Sequence, residues 1–140
     1  MEKERNIAGA IALKFKIYFT NWINVLGIAA GTYIFLVISE VFKTGISALP
    51  QMLLMALVAV LLYGGIFFTG FLIAMLLLDL ILMNSDTKHL RLKLIAEWVL
   101  ISAPFTYWLL TYSEWFFFVA VVFFLIAQFI REKRILKLLA

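Results

Sequence analysis

The basic residues of this chain are segregated in a way few folds can accommodate. Eleven of the twelve Lys and Arg residues lie in three stretches: Lys3, Arg5, Lys14 and Lys16; then Lys88, Arg91 and Lys93; then Arg131, Lys133, Arg134 and Lys137. Only Lys43 falls elsewhere. Between the stretches run apolar segments too long for a soluble domain to hide. The chain is 66% hydrophobic and 14% charged, whereas soluble domains are roughly 45–50% apolar and about 25% charged. The solvent that suits such a surface is lipid.

A bilayer core about 30 Å thick needs roughly 20 apolar residues in a helix. Four segments meet or approach that length: residues 21–42, 51–83, 94–112 and 115–130. They lack the alternation of a lipid-facing barrel. The sequence therefore predicts an all-α integral membrane protein with four transmembrane helices and an amphipathic interfacial helix ahead of them. The second helix would be about 50 Å long at 1.5 Å per residue. Gly64-Gly65 lies near its middle, so a long helix kinked there is expected. The alternative is a re-entrant segment before Tyr63 followed by a shorter span.

Four crossings put the three basic stretches on one side, which the positive-inside rule makes cytoplasmic. The expected organisation is an interfacial segment at 1–20, a four-helix membrane domain at 21–131 and a basic tail at 132–140. Both termini are then cytoplasmic, in a multi-pass arrangement. Ile7, Ile11, Phe15, Tyr18 and Trp22 share one face of the first segment and are expected to rest in the headgroup region. Trp98, Tyr107, Trp108, Tyr112 and Trp115 suit the membrane–water boundaries. Ile135, Leu136, Leu138 and Leu139 in the tail are expected to meet the membrane surface or a partner. No secretory leader is apparent in the first apolar stretch.

The net charge of +4 does not call for nucleic acid, because the basic residues are accounted for by helix orientation. The absence of cysteine removes disulfide and thiolate chemistry. A single histidine, His89, near Asp86, is too little for a metal site. No Ser/His/Asp set, HExxH, Walker loop or GxSxG pattern is present. No cofactor and no catalytic residue is expected.

Two sets of residues remain as candidates. Asn24, Gly27 and Gly31 share a face of the first span, and Gly65 with Thr69 offers a small-residue strip on the second. Glycines spaced in this way let another backbone approach closely. Packing of the first two spans on one another is the expected use; dimerisation or a pore seam is the alternative. Asp79 and Glu97 are the second set. A carboxylate at bilayer depth costs at least about 2.5 kcal/mol, so its partner matters. Pairing with Lys88, Arg91 or Lys93 is expected; a cation or proton site is the alternative.

These features fit a non-catalytic membrane subunit, an accessory or scaffolding component whose partners are the lipid bilayer and other subunits or copies of itself. A small oligomeric channel or transporter using Asp79 and Glu97 is the second reading, and a holin-like pore former the third.

Overall fold

The computed structural model describes residues 2–83 and 89–140. Five α-helices make up nearly all of it: α1 (Glu2–Phe19), α2 (Trp22–Thr44), α3 (Leu49–Leu82), α4 (Leu90–Tyr112) and α5 (Trp115–Leu139), with a 3-10 turn at Ile46–Ala48 before α3. There is no strand among the described residues. Four helical segments are long and apolar enough to cross a membrane: Ala8–Thr44, counted through the α1–α2 turn, Gly64–Leu82, Leu90–Tyr112 and Trp115–Leu139.

The ambiguous second segment is one helix. α3 runs for 34 residues and its helical backbone is unbroken at Gly64-Gly65. Pro50 sits in its first turn, where a missing N–H leaves no helical bond unmade. Gly45, with φ of 87°, turns the chain between α2 and α3.

Helices α2 to α5 run alternately up and down. α2 packs on α5 and α3, and α4 packs on α5 and α3, so the four close into a ring. α1 lies against the last part of α5. The end of the bundle that carries both termini will be called the near end.

Every bundle helix presents one buried stripe at spacings of three and four, the signature of a helix with a single core face. Asn24, Ile28 and Gly31 form it on α2. Phe71, Met75 and Asp79 form it on α3. Leu90, Leu94, Glu97 and Ile101 form it on α4. Ala120, Phe124, Ala127, Arg131 and Ile135 form it on α5. These stripes stack into layers. Ile17, Met83, Leu90, Leu94 and Ile135 make an apolar layer at the near end. Ile28, Phe71, Met75, Ile101, Ala120 and Phe124 make a second, deeper one. The polar members of all four stripes lie between them.

Several expectations change in detail. Ile11, Phe15 and Trp22 are exposed, but Ile17 on another face of α1 is buried against the bundle. The side chain of Ile7 lies outside the described residues. Ile135 is fully buried and is not available to a surface. Trp98 turns inward, its indole N–H donating to the Val121 carbonyl at 3.0 Å. Trp108 packs edge-on against Phe67 and Phe105. Tyr107, Tyr112 and Trp115 stay exposed.

The glycines of α2 pack on α5, not on α3 as their spacing suggested. A Cβ at Gly27 would lie 2.7 Å from the Ala127 Cβ, and one at Gly31 would collide with the Phe123 ring. At Gly65 and Gly70 a Cβ would meet nothing within 4 Å. Gly27→Leu and Gly31→Leu should therefore each lower stability by about 1–3 kcal/mol or more, since overpacking a close contact displaces backbone. Gly65→Leu should leave the stability of a single chain unchanged. Denaturant unfolding of the solubilised variants would measure both, and equal sensitivity at Gly31 and Gly65 would contradict this packing.

Candidate functional site

The layer between the two apolar clusters holds three charged side chains with no exposure: Asp79, Glu97 and Arg131. Each reaches the bundle interior because it occupies a stripe position on its helix. Asp79 follows Met75 by one turn on α3, Glu97 follows Leu94 on α4, and Arg131 follows Ala127 on α5. Burial of these groups is then a consequence of helical phase. A rotation that exposed any one of them would expose the apolar members of its stripe as well.

Arg131 is the hub. Its Nη2 donates to Asp79 Oδ2 at 2.5 Å and its Nη1 to Glu97 Oε2 at 2.8 Å. Its Nε donates to the Thr20 hydroxyl at 2.9 Å. The planar guanidinium presents donors in several fixed directions, so a single side chain ties α3, α4, α5 and the α1–α2 turn together. Lysine, a point charge on a flexible stem, has no equivalent geometry. The Thr20 hydroxyl donates in turn to the Ile17 carbonyl at 2.5 Å. Asn21 donates from Nδ2 to Asp79 Oδ2 at 2.6 Å. Asn24 lies one turn further in, its amide 3.4 Å from Asn21 Oδ1 and 3.3 Å from the Met75 sulfur.

The cluster is not fully satisfied. Asp79 Oδ1, Glu97 Oε1, Asn24 Oδ1, the Ser102 hydroxyl and both amide atoms of Gln128 are buried without a hydrogen-bond partner. Gln128 lies alongside Glu97 without reaching hydrogen-bond geometry.

Asp79 and Glu97, singled out in the sequence, are thus brought together, but through a cation that sequence reasoning assigned elsewhere. Arg131 reads in the sequence as the first of the third basic stretch, because Lys133, Arg134 and Lys137 follow it closely. Its phase with Phe124, Ala127 and Ile135 was the signal that separates it from them. Of the expected partners, Lys88 lies outside the described residues. Arg91 instead sits 3.9 Å from Glu132 and over the Phe129 ring. Asn24 and Gly31 are buried, as a packing strip requires, whereas Gly65 and Thr69 are exposed. The Thr69 hydroxyl donates to the Gly65 carbonyl within its own helix at 2.8 Å. Glu40 and Lys43 form a surface pair at 2.7 Å.

Beyond the deeper apolar layer lies a cavity of about 240 Å³, lined by Ile28, Gly64, Phe68, Phe71, Phe105 and Phe117 among others. It is larger than the roughly 150 Å³ apolar cavity that stays dry in an engineered protein core. Its lining is equally apolar, so it offers water no foothold. Phe71 stacks edge-on against Phe124 with centroids 5.0 Å apart and stands between the cavity and the charges. No polar route from the cluster to the far end is visible among the described residues.

No group of three or more His, Cys, Asp or Glu residues suited to a metal occurs among the described residues. No family model matches the chain, and no curated protein or solved structure matches it. What the site does must be argued from its own atoms.

Removing the hub should be costly. Arg131→Met strands two buried carboxylates, and breaking a buried ion pair on one side typically costs about 3–5 kcal/mol. Replacing all three, as in Asp79→Leu with Glu97→Met and Arg131→Met, should recover most of that loss, because apolar groups of similar volume need no partner. Arg134→Met, on the exposed face of the same helix, should change stability by less than about 0.5 kcal/mol. Thermal unfolding of the four solubilised proteins would test the ordering. A stable Arg131→Met protein would mean that the cluster does not hold the helices together.

Proposed function

We propose that this chain is a multi-pass integral membrane protein. Its four spans are α2 to α5 and its termini are cytoplasmic. It acts without catalysis, as a subunit that assembles with copies of itself or with other membrane proteins. The distribution of side chains supports the membrane setting. Phe42, Ile66 and Leu110 are 87%, 82% and 78% exposed, while Asp79, Glu97 and Arg131 are wholly buried. In water that arrangement would be unstable; in lipid it is the favourable one. The cationic groups Lys14, Lys16, Arg91, Lys133, Arg134 and Lys137 ring the near end, which is the cytoplasmic end by the positive-inside rule. The exposed Ile11, Phe15 and Phe19 on α1, with Trp22 at the start of α2, suit the interface beside them.

The assembly reading is carried by one observation: among the described residues, nothing covers the Gly65, Thr69 and Gly70 surface of α3. Gly65 and Gly70 are open to close approach, and lipid chains fill a notched surface less well than another helix does. The polar groups of the interior are enclosed between two apolar layers.

Chemical crosslinking and sedimentation of the protein in mild detergent would test assembly. The wild type should form a defined oligomer that the Gly65→Leu/Gly70→Leu pair converts to monomer, with the monomer's stability unchanged. A wild type that is monomeric at every concentration and in every detergent would sink the self-assembly form of the proposal. Topology is tested separately in this cysteine-free chain. Single cysteines at Ser47 and Ser113 should react with an impermeant thiol reagent from outside, and one at Ala140 should not.

A further inference from the structure

Charge balance in the buried cluster points to a ligand. Thr20 and Asn21 face it from the α1–α2 turn, Asn24 from α2, Asp79 from α3, Glu97 from α4, and Gln128 and Arg131 from α5. The fully buried charges among the described residues are two carboxylates and one guanidinium. With all three ionised the layer carries one uncompensated negative charge, sealed between two apolar clusters. A buried charge left without compensation costs several kcal/mol.

The hydrogen-bond inventory is independent of the charge count and leads to the same place. Of the six unpartnered buried atoms, five are oxygens, and only the Gln128 nitrogen is purely a donor. The layer is short of donors. Metal cations and protons both supply positive charge, but only a proton on a carboxylate also creates a donor.

We propose that the cluster is a binding site for one exchangeable proton, carried by the Glu97 carboxyl. The two acids are unequally supported as anions. Asp79 Oδ2 accepts from both Arg131 and Asn21 within hydrogen-bond distance, whereas on Glu97 only Oε2 has a donor at that distance, Arg131, with Gln128 alongside but further off. Donors that favour an anion are therefore concentrated on Asp79. Protonated at Oε1, Glu97 becomes a donor with the unpartnered Gln128 side-chain amide beside it, and the layer becomes neutral. The proton comes from bulk water and returns to it, and the only bond made or broken is O–H. The near-end apolar layer is the barrier between the site and water on the side of the termini. The site lies within one chain and needs no second copy, so it goes beyond the assembly proposed above.

Infrared spectroscopy of the full chain in lipid nanodiscs tests this directly. The carbonyl stretch of a protonated, buried carboxyl should appear at neutral pH, at an intensity of one per chain. It should shift in heavy water, disappear as the pH is raised with the protein still folded, and return on acidification. Glu97→Gln should abolish the band, and Glu114→Gln, on the surface, should leave it intact. Because Gln resembles the neutral acid, Glu97→Gln should unfold at a temperature no lower than wild type. Should that variant fail to fold, the reversible loss of one protonated carboxyl in the wild-type titration still decides the matter. Absence of the band at every pH at which the protein is folded would overturn the proposal. So would its persistence in Glu97→Gln, or a stability that responds to sodium and not to pH. A monomeric protein that shows the band would instead overturn the assembly reading alone.

Discussion

The guanidinium of Arg131 reaches two carboxylates and a hydroxyl that arrive on different elements, and the register of the bundle depends on it. Apolar packing alone would tolerate small slides and rotations of one helix past another, since one methyl can replace another at modest cost. Charged hydrogen bonds inside an apolar interior do not. Shifting α5 by one residue would carry Arg131 away from Asp79 and Glu97 and leave all three unpaired, at a cost far above that of a repacked leucine. The contact with Thr20 extends the constraint to the α1–α2 turn. α1, whose Ile17 also packs into the near-end apolar layer, is thereby tied to the polar layer as well.

Around that hub the apolar layers act as insulation. Ile135, Leu94 and Leu90 close the near side, while Phe124, Met75 and Phe71 close the far side. The close approach of α2 and α5, made possible by Gly27 and Gly31, brings Asn21 and Asn24 within reach of the same layer. Small residues thus do two different things in this chain. On α2 they let two helices of one chain come together, and on α3 they leave a notch that no described residue fills. The proposed roles separate along the same line, with proton binding belonging to the interior and assembly to the outer face of α3.

Much of the architecture was legible before the structure. The number of helices, their approximate limits and the short α4–α5 turn followed from the lengths of the apolar runs, because 3.6-residue helices of that length leave few alternatives. A single long helix, expected with a kink at Gly64-Gly65, was one of two options for this segment, and periodicity could not separate them: both options are helical throughout. The site was half legible. Asp79 and Glu97 stood out because charges are rare within apolar runs. Arg131 did not, because it sits where an apolar run meets a cluster of other cations, and composition cannot distinguish the first residue of a tail from the last residue of a core. Only its helical phase with Phe124 and Ile135 could.

The sequence by itself therefore determined the elements, and it carries the charge asymmetry on which the proposed sidedness rests. Those depend on local quantities: the length of an apolar run, the placement of glycine and proline, and the concentration of basic residues at one end. Tertiary structure decided which faces meet. That α2 packs its glycines on α5, that Gly65 is left open, and that Arg131 turns inward while Arg134 turns outward are outcomes of the relative rotation of helices far apart in the chain. Such rotations are selected by the joint burial of four stripes and by the cost of leaving any one of three buried ionisable side chains without its partner, and no single segment carries that information.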